Sequence, residues 1–287
     1  MSNGRNNIGY GLTHAEIEHF LARGFVVIKD AVKKNIREEW FRHGLQRLSR
    51  VKRVPDNGII ELTHTRSEFL HDIAPRAWKA VTQLLGGEDR VAVPQVHDDF
   101  NFNTQSVPET EWLPPERHSS GWHIDGDFFK RYLDSPEQGL LCLILWSGVS
   151  SREGGTFLAC DSIGKVAKLL LANSSQGLDP RPFTLLYKEC SDFVEITGDA
   201  GDVVLCHPFM IHAPSPRTND NVRLLTNPPV SLLEPMQFNR ADARDFSPVE
   251  LAILRGLGVE RLEFNKEKKR EQFDSWRQSR AINEAVS

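Results

Sequence analysis

Two groups of residues in this sequence have the types and spacing needed for metal chemistry. The first is His123-Ile124-Asp125, a His-x-Asp pair inside Gly121-Trp122-His123-Ile124-Asp125-Gly126-Asp127. On an extended strand, side chains two apart share a face, so an imidazole and a carboxylate so spaced converge on one ion. A third ligand must come from elsewhere, and redox chemistry at iron needs the remaining positions open. The pair alone is weak evidence. With ten histidines in the chain, roughly half a His-x-Asp arises by chance on composition, and His97-Asp98-Asp99 also fits.

The second group lies downstream. Gly201-Asp202 opens a turn into the apolar run 203–206, and His207 and His212 follow. Arg223 stands eleven residues after His212, at the start of another apolar run. An antiparallel neighbour at that distance can bring a guanidinium beside a metal pocket. Arginine suits a carboxylate ligand because its planar fork binds both oxygens and keeps its charge. Between the two histidines, alternation places His207 and His212 on opposite faces unless Pro208 resets the register. Alternation alone leaves open which of the two is the ligand, and the other would have a supporting or structural role.

The elements that must hold these groups read as follows. Thr13 and Glu16 form a capping box, Ile17, Phe20 and Leu21 recur at helical spacing, and Gly24 stops the helix. Phe25-Val26-Val27-Ile28 predicts a short buried strand, and helices are expected over 35–50 and 75–85. From about residue 91 the pattern turns to strands, at 91–93, 95–103, 140–146, 156–159, 193–197, 203–205 and 223–233. Gly, Pro, Ser and Asp clusters separate them, as expected of short antiparallel strands in a barrel or jelly roll. Ser247-Pro248-Val249-Glu250 is a second capping box with Gly256 as the expected stop, and the charged run 266–285 reads as a solvated helix. A single domain is expected over 1–287, with a helical flank at 12–90, a core at 91–235 and a second helical flank at 240–287.

Composition narrows the partners. Apolar residues make up 39% of the 287 and charged residues 26%, with a net charge of −4. That balance gives no electrostatic reason to expect nucleic acid or an anionic membrane. The four cysteines lie far apart, three of them in or beside apolar runs, which implies a reducing compartment without disulfides. No apolar signal core or bilayer-length run is present, and the chain does not end in Ser-Lys-Leu. A cytoplasmic protein acting on a small molecule is expected.

In order, the motifs resemble the phytanoyl-CoA dioxygenase family within the Fe(II)/2-oxoglutarate-dependent oxygenases. They are Leu12-Thr13 leading to Gly24-Phe25-Val26-Val27, His123-Ile124-Asp125, a strand ending in Trp146, Gly154-Gly155-Thr156, Gly201-Asp202, His212 and Arg223. The resemblance runs from about residue 12 to 232; each motif is short, and the ordered set is the specific part. It implies a mainly β fold with flanking helices, a double-stranded β-helix of the jelly-roll, cupin-like type. His123, Asp125 and His212 would hold Fe(2+). Arg223 would take the distal carboxylate of 2-oxoglutarate, and Trp146, Thr156 and Asn101 would line the cosubstrate pocket. Oxygen, O2, would complete the reaction, releasing succinate and CO2 and hydroxylating the substrate. Asp125 argues against halogenation, in which a small residue replaces the carboxylate. The stretch 127–139 would form a lid or a short packed helix. The alternatives are a cupin-like metalloenzyme that needs no Arg223, and a non-catalytic jelly-roll binding protein.

Overall fold

Helix start signals and strand alternation explain most of the architecture. The computed structural model describes residues 11–55, 58–126 and 129–264; the charged run 266–285 lies outside them. Thr13 accepts from the Glu16 N–H while Glu16 returns a bond to the Thr13 backbone, and this box starts α1 (His14–Arg23). Gly24 ends it at φ +74°, and the chain passes directly into β1 (Phe25–Ile28). Then come α2 (Lys34–Leu48), β2 (Ile59–Glu61), β3 (Ser67–Phe69), the single-turn α3 (Leu70–Ile73) and α4 (Pro75–Leu85). The strands β4 (Gln95–His97), β5 (Asn101–Asn103), β6 (Leu141–Leu145) and β7 (Thr156–Ala159) lead to α5 (Ser162–Ala172). Last come β8 (Phe193–Ile196), β9 (Val203–Cys206), β10 (Ile211–Pro214), β11 (Arg223–Thr226) and α6 (Pro248–Leu257).

The strands form a large antiparallel sheet in the order β1-β9-β6-β11-β5-β2 and a small one in the order β10-β7-β8. One apolar cluster joins their inner faces: Phe25, Leu141, Leu143, Leu145, Val204 and Leu225 from the large sheet meet Leu158 and Ile196 from the small one. This is the jelly-roll architecture, with non-sequential neighbours in the large sheet and helices against its outer face. The alternate residues Cys142, Ile144, Trp146, Val203 and Leu224 join the outer core with Trp40 of α2 and the helical layer. No helix among the described residues is long and apolar enough to cross a membrane.

Several expectations are corrected. The run 95–103 is two strands, because Asp98 is pulled into a turn where it accepts from Thr65 N, Thr65 Oγ1, Arg66 N, His43 Nε2 and Arg47 Nη1. Of the run 91–93, only Val91 pairs, in a single bridge to Leu232, and 223–233 is a continuous strand only over 223–226, with isolated bridges at Val230 and Leu232. The last helix stops at Gly258 (φ +75°) rather than at Gly256. Gly256 lies inside the helix, where α6 crosses α5 so closely that a Cβ would stand 2.6 Å from the Gly164 Cα. Within 127–139, Asp127 and Phe128 lie outside the described residues. Phe129, Tyr132 and Leu133 are buried and no helix forms over 129–139, so that part is packed against the body.

Asp98 fixes the β4–β5 turn and hence the register of Asn101. Burial pushes its carboxyl upward, but His43 and the Thr65 and Arg66 donors hold it well below the usual range. A lowered folded-state value means that the stabilisation is complete above the unfolded pKa of about 3.9 and is lost as pH falls below it. Asp98→Asn should cost about 3–5 kcal/mol at neutral pH. Thermal unfolding from pH 7 to 3 should show the gap between wild type and variant begin to narrow below about pH 4; a constant gap would exclude the ionised carboxylate as the cause.

Candidate metal centre

Alternation positions the upstream pair. Trp122 and Ile124 are buried on the outer side, and Trp122 stacks on Tyr187 at 5.2 Å and donates to the His118 carbonyl at 2.8 Å. His123 and Asp125 are thereby turned to the opposite face. Ile211 and Ala213 are likewise buried in the outer core, which turns His212 inward. A pair of backbone hydrogen bonds then joins the two segments, His123 N to His212 O and His212 N to His123 O, both 2.9 Å. His123 thus continues the small sheet beyond β10, with the imidazoles side by side, ring centroids 4.3 Å apart.

The donor atoms of His123, Asp125 and His212 all lie within 4.8 Å of one another. Asp125 Oδ1 is 3.4 Å from His123 Nε2 and 3.5 Å from His212 Nε2. Ligand atoms each about 2.0–2.2 Å from one ion are spaced on this scale. Both imidazoles are oriented for the task. His123 Nδ1 contacts the Gly121 carbonyl at 2.6 Å, and His212 Nδ1 contacts the Met210 carbonyl at 3.1 Å. A carbonyl only accepts, so the protons sit on Nδ1 and leave the Nε2 lone pairs facing Asp125. Asn227 donates Nδ2–H to Asp125 Oδ2, which turns Oδ1 toward the histidines.

The three groups also act on one another electrostatically, and an ion would have to displace the proton that Asp125 favours on the imidazoles. Burial opposes charge on Asp125, but His212 and His123 hold its carboxyl well below the carboxylate range. Burial lowers His123, and the Asp125 carboxylate more than compensates, so the imidazole rises. The His123 side chain is 42% exposed against 8% for His212. Solvent therefore reaches the cluster from the His123 side.

Arg223 lies on the inner face of β11, where strand alternation groups it with Leu225 and Asn227. It is only 4% exposed. Nε donates to the Gly154 carbonyl at 2.7 Å and Nη1 to Asn101 Oδ1 at 3.0 Å. Both acceptors are neutral, and among the described residues no carboxylate pairs with it. Burial alone pushes the guanidinium down to about 10. Asn101 is therefore beside Arg223, and Thr156 faces inward with Leu158 on β7.

Trp146 is placed elsewhere, contrary to the expected pocket contact. Leu145 points inward, so its neighbour points out, stacking on Trp40 at 4.6 Å and donating to Thr226 Oγ1 at 3.0 Å. His207 is outside the cluster too. Its Nδ1 accepts from Phe209 N and its Nε2 faces the Val249 carbonyl, and burial pushes it down to about 3, so it is a neutral core imidazole. His97 pairs its ring with His64 at 4.5 Å, and Asp98 rather than Asp99 is the buried hub of that segment.

The sequence reading missed Asn227 and Asn103. Asn227 was within reach of it, since counting by twos from Arg223 puts residue 227 on the same face. Asn103 is fully buried and donates Nδ2 to the Gly154 and Ser215 carbonyls, fastening the loop whose carbonyl receives Arg223. Gly154 takes φ +81°, and a Cβ there would press on Asn103 Nδ2 at 3.2 Å, which explains the Gly-Gly-Thr motif.

No protein-family model matches the chain, and no curated protein matches it either. Solved structures do. One is the non-heme alpha ketoglutarate dependent carbocyclase SnoK from nogalamycin biosynthesis, 15% identical over 77% of this chain and 84% of that one, TM-score 0.47. Another is HygX from Streptomyces hygroscopicus with nickel and 2-oxoglutarate bound, 18% identical over 77% and 88%, TM-score 0.43. A third is apo EctD from S. alaskensis, 14% identical over 80% of each chain, TM-score 0.45. TM-scores below 0.5 at such identities are too low to transfer chemistry, so this chain's own residues must carry the functional reading.

Asn227→Leu should lower divalent-metal affinity by roughly 10- to 100-fold, the usual effect of losing a partner that orients a ligand. A cobalt(II) titration measures it, and an unchanged affinity would show that Asp125 is oriented without Asn227.

Proposed function

We propose that the chain is an Fe(II)- and 2-oxoglutarate-dependent oxygenase that hydroxylates a carbon of a small organic substrate. The observation that carries this reading is Arg223, a buried guanidinium without a carboxylate partner among the described residues, at the start of the strand β11 that Asn227, the residue holding Asp125, directly follows. An unpaired buried cation is strongly destabilising unless an anion completes it. The missing anion is assigned as the distal carboxylate of the cosubstrate.

The residues fit the metal as well as the cosubstrate. His123 Nε2, Asp125 Oδ1 and His212 Nε2 would form a two-histidine, one-carboxylate face, the ligand set suited to non-haem iron with the other positions open. When bound, iron with 2-oxoglutarate and O2 supplies C–H oxidation, with release of succinate and CO2. The protein's own contribution is positioning. Gly121 and Met210 carbonyls hold the histidine tautomers, and Asn227 holds one Asp125 oxygen. Asn101 and Gly154 aim the Arg223 fork. The exposed edge of His123 marks the side from which substrate enters. A cupin-like metalloenzyme without 2-oxoglutarate would have no use for Arg223.

Arg223→Met should weaken 2-oxoglutarate binding to the cobalt-loaded protein by about 2 kcal/mol or more, roughly thirty-fold. Binding of 2-oxobutyrate, which lacks the distal carboxylate, should be the same in both proteins. Titration calorimetry reads both, and equal 2-oxoglutarate affinity with and without the guanidinium would sink the assignment.

A further inference from the structure

A second buried arginine lies under the metal centre. Arg131 is 2% exposed. Its backbone is fixed by paired hydrogen bonds with Leu178, both 2.9 Å. Its guanidinium sits over the Phe129 ring at 4.7 Å. Nη2 donates to the Asp125 backbone carbonyl and to Gln138 Oε1, the latter at 2.8 Å. Among the described residues, Nη1 is buried without an acceptor. A buried cation with an idle donor weakens a fold unless its position serves something else. What it touches is the main chain of Asp125, at a bend followed by Gly126 with φ +97°. A Cβ on Gly126 would come within 2.4 Å of Arg131 Nη2, so the turn is closed down on the guanidinium.

We propose that Arg131 is a positioning residue for the metal: by gripping the Asp125 carbonyl it sets the direction from which Asp125 Oδ1 meets the two Nε2 atoms. Asp125 is thus held twice, its side chain by Asn227 and its backbone by Arg131. Gln138 keeps the fork in place from the other side. Lysine lacks the fork and cannot reproduce the grip on Asp125 and Gln138 together. The inference rests on the reading of His123, Asp125 and His212 as metal ligands.

The test compares wild type, Arg131→Lys, Arg131→Gln and Gln138→Leu. It measures cobalt(II) affinity, 2-oxoglutarate affinity at saturating cobalt, and thermal unfolding of the metal-free protein. Cobalt affinity should fall roughly ten-fold or more in Arg131→Gln, with Arg131→Lys recovering part of the loss. Gln138→Leu, which touches no metal ligand, should show a smaller fall. The 2-oxoglutarate affinity of the cobalt-saturated variants should stay within about two-fold of wild type, because Arg223 is untouched. Lowered unfolding temperatures with wild-type cobalt affinity in the folded variants would overturn the proposal. Should the Arg131 variants not fold, an unchanged cobalt affinity in Gln138→Leu would do the same. Wild type that binds cobalt but not 2-oxoglutarate would instead remove the oxygenase reading and leave the cobalt comparison standing.

Discussion

Two backbone hydrogen bonds, from His123 N to His212 O and back, connect segments that lie far apart in the chain and put two imidazoles on one face. The other parts of the centre depend on that junction. Once His123 is paired to β10, alternation carries Asp125 to the same side, and the Nδ1 contacts fix which nitrogens remain free. The apolar neighbours Trp122, Ile124, Ile211 and Ala213 hold the register, because a slip of one residue would drive both imidazoles into the outer core. The geometry of the cluster is thus a consequence of where hydrophobic side chains must go.

The inner face of the large sheet supplies the rest. β11 carries the buried guanidinium of Arg223 and the apolar Leu225, and Asn227, whose amide orients Asp125, follows directly after it. Among the described residues, Arg223 sits with neutral acceptors, and Arg131 has an acceptor on only one of its terminal nitrogens. Both arrangements are unfavourable for folding taken alone. They make sense as preorganisation, with donors aimed before any ligand arrives.

Much of this was legible in the residues. Capping boxes at Thr13 and Ser247 and the alternating runs around Leu143, Phe157 and Val204 marked helices and strands, because those signals are local. The ordered set included the three groups that the fold gathers, His123, Asp125 and His212. What escaped was set by tertiary context. β2 and β3 are three-residue strands too short to show alternation, and β10 is a short strand ending in Pro214. Gly256 read as a helix stop because close helix crossing and helix termination both call for glycine. Trp146 was assigned to the pocket by resemblance, and strand parity turned it toward Trp40. Asp98 was passed over for Asp99, since only the folded turn gathers its five donors.

The most direct test of the account is an optical titration of 2-oxoglutarate into the anaerobic Fe(II) protein. Chelation of iron by the keto acid produces a visible charge-transfer band, which the account predicts in wild type, absent in His123→Ala and weakened in Arg223→Ala. Iron bound at the three ligands with no band on adding 2-oxoglutarate would contradict it.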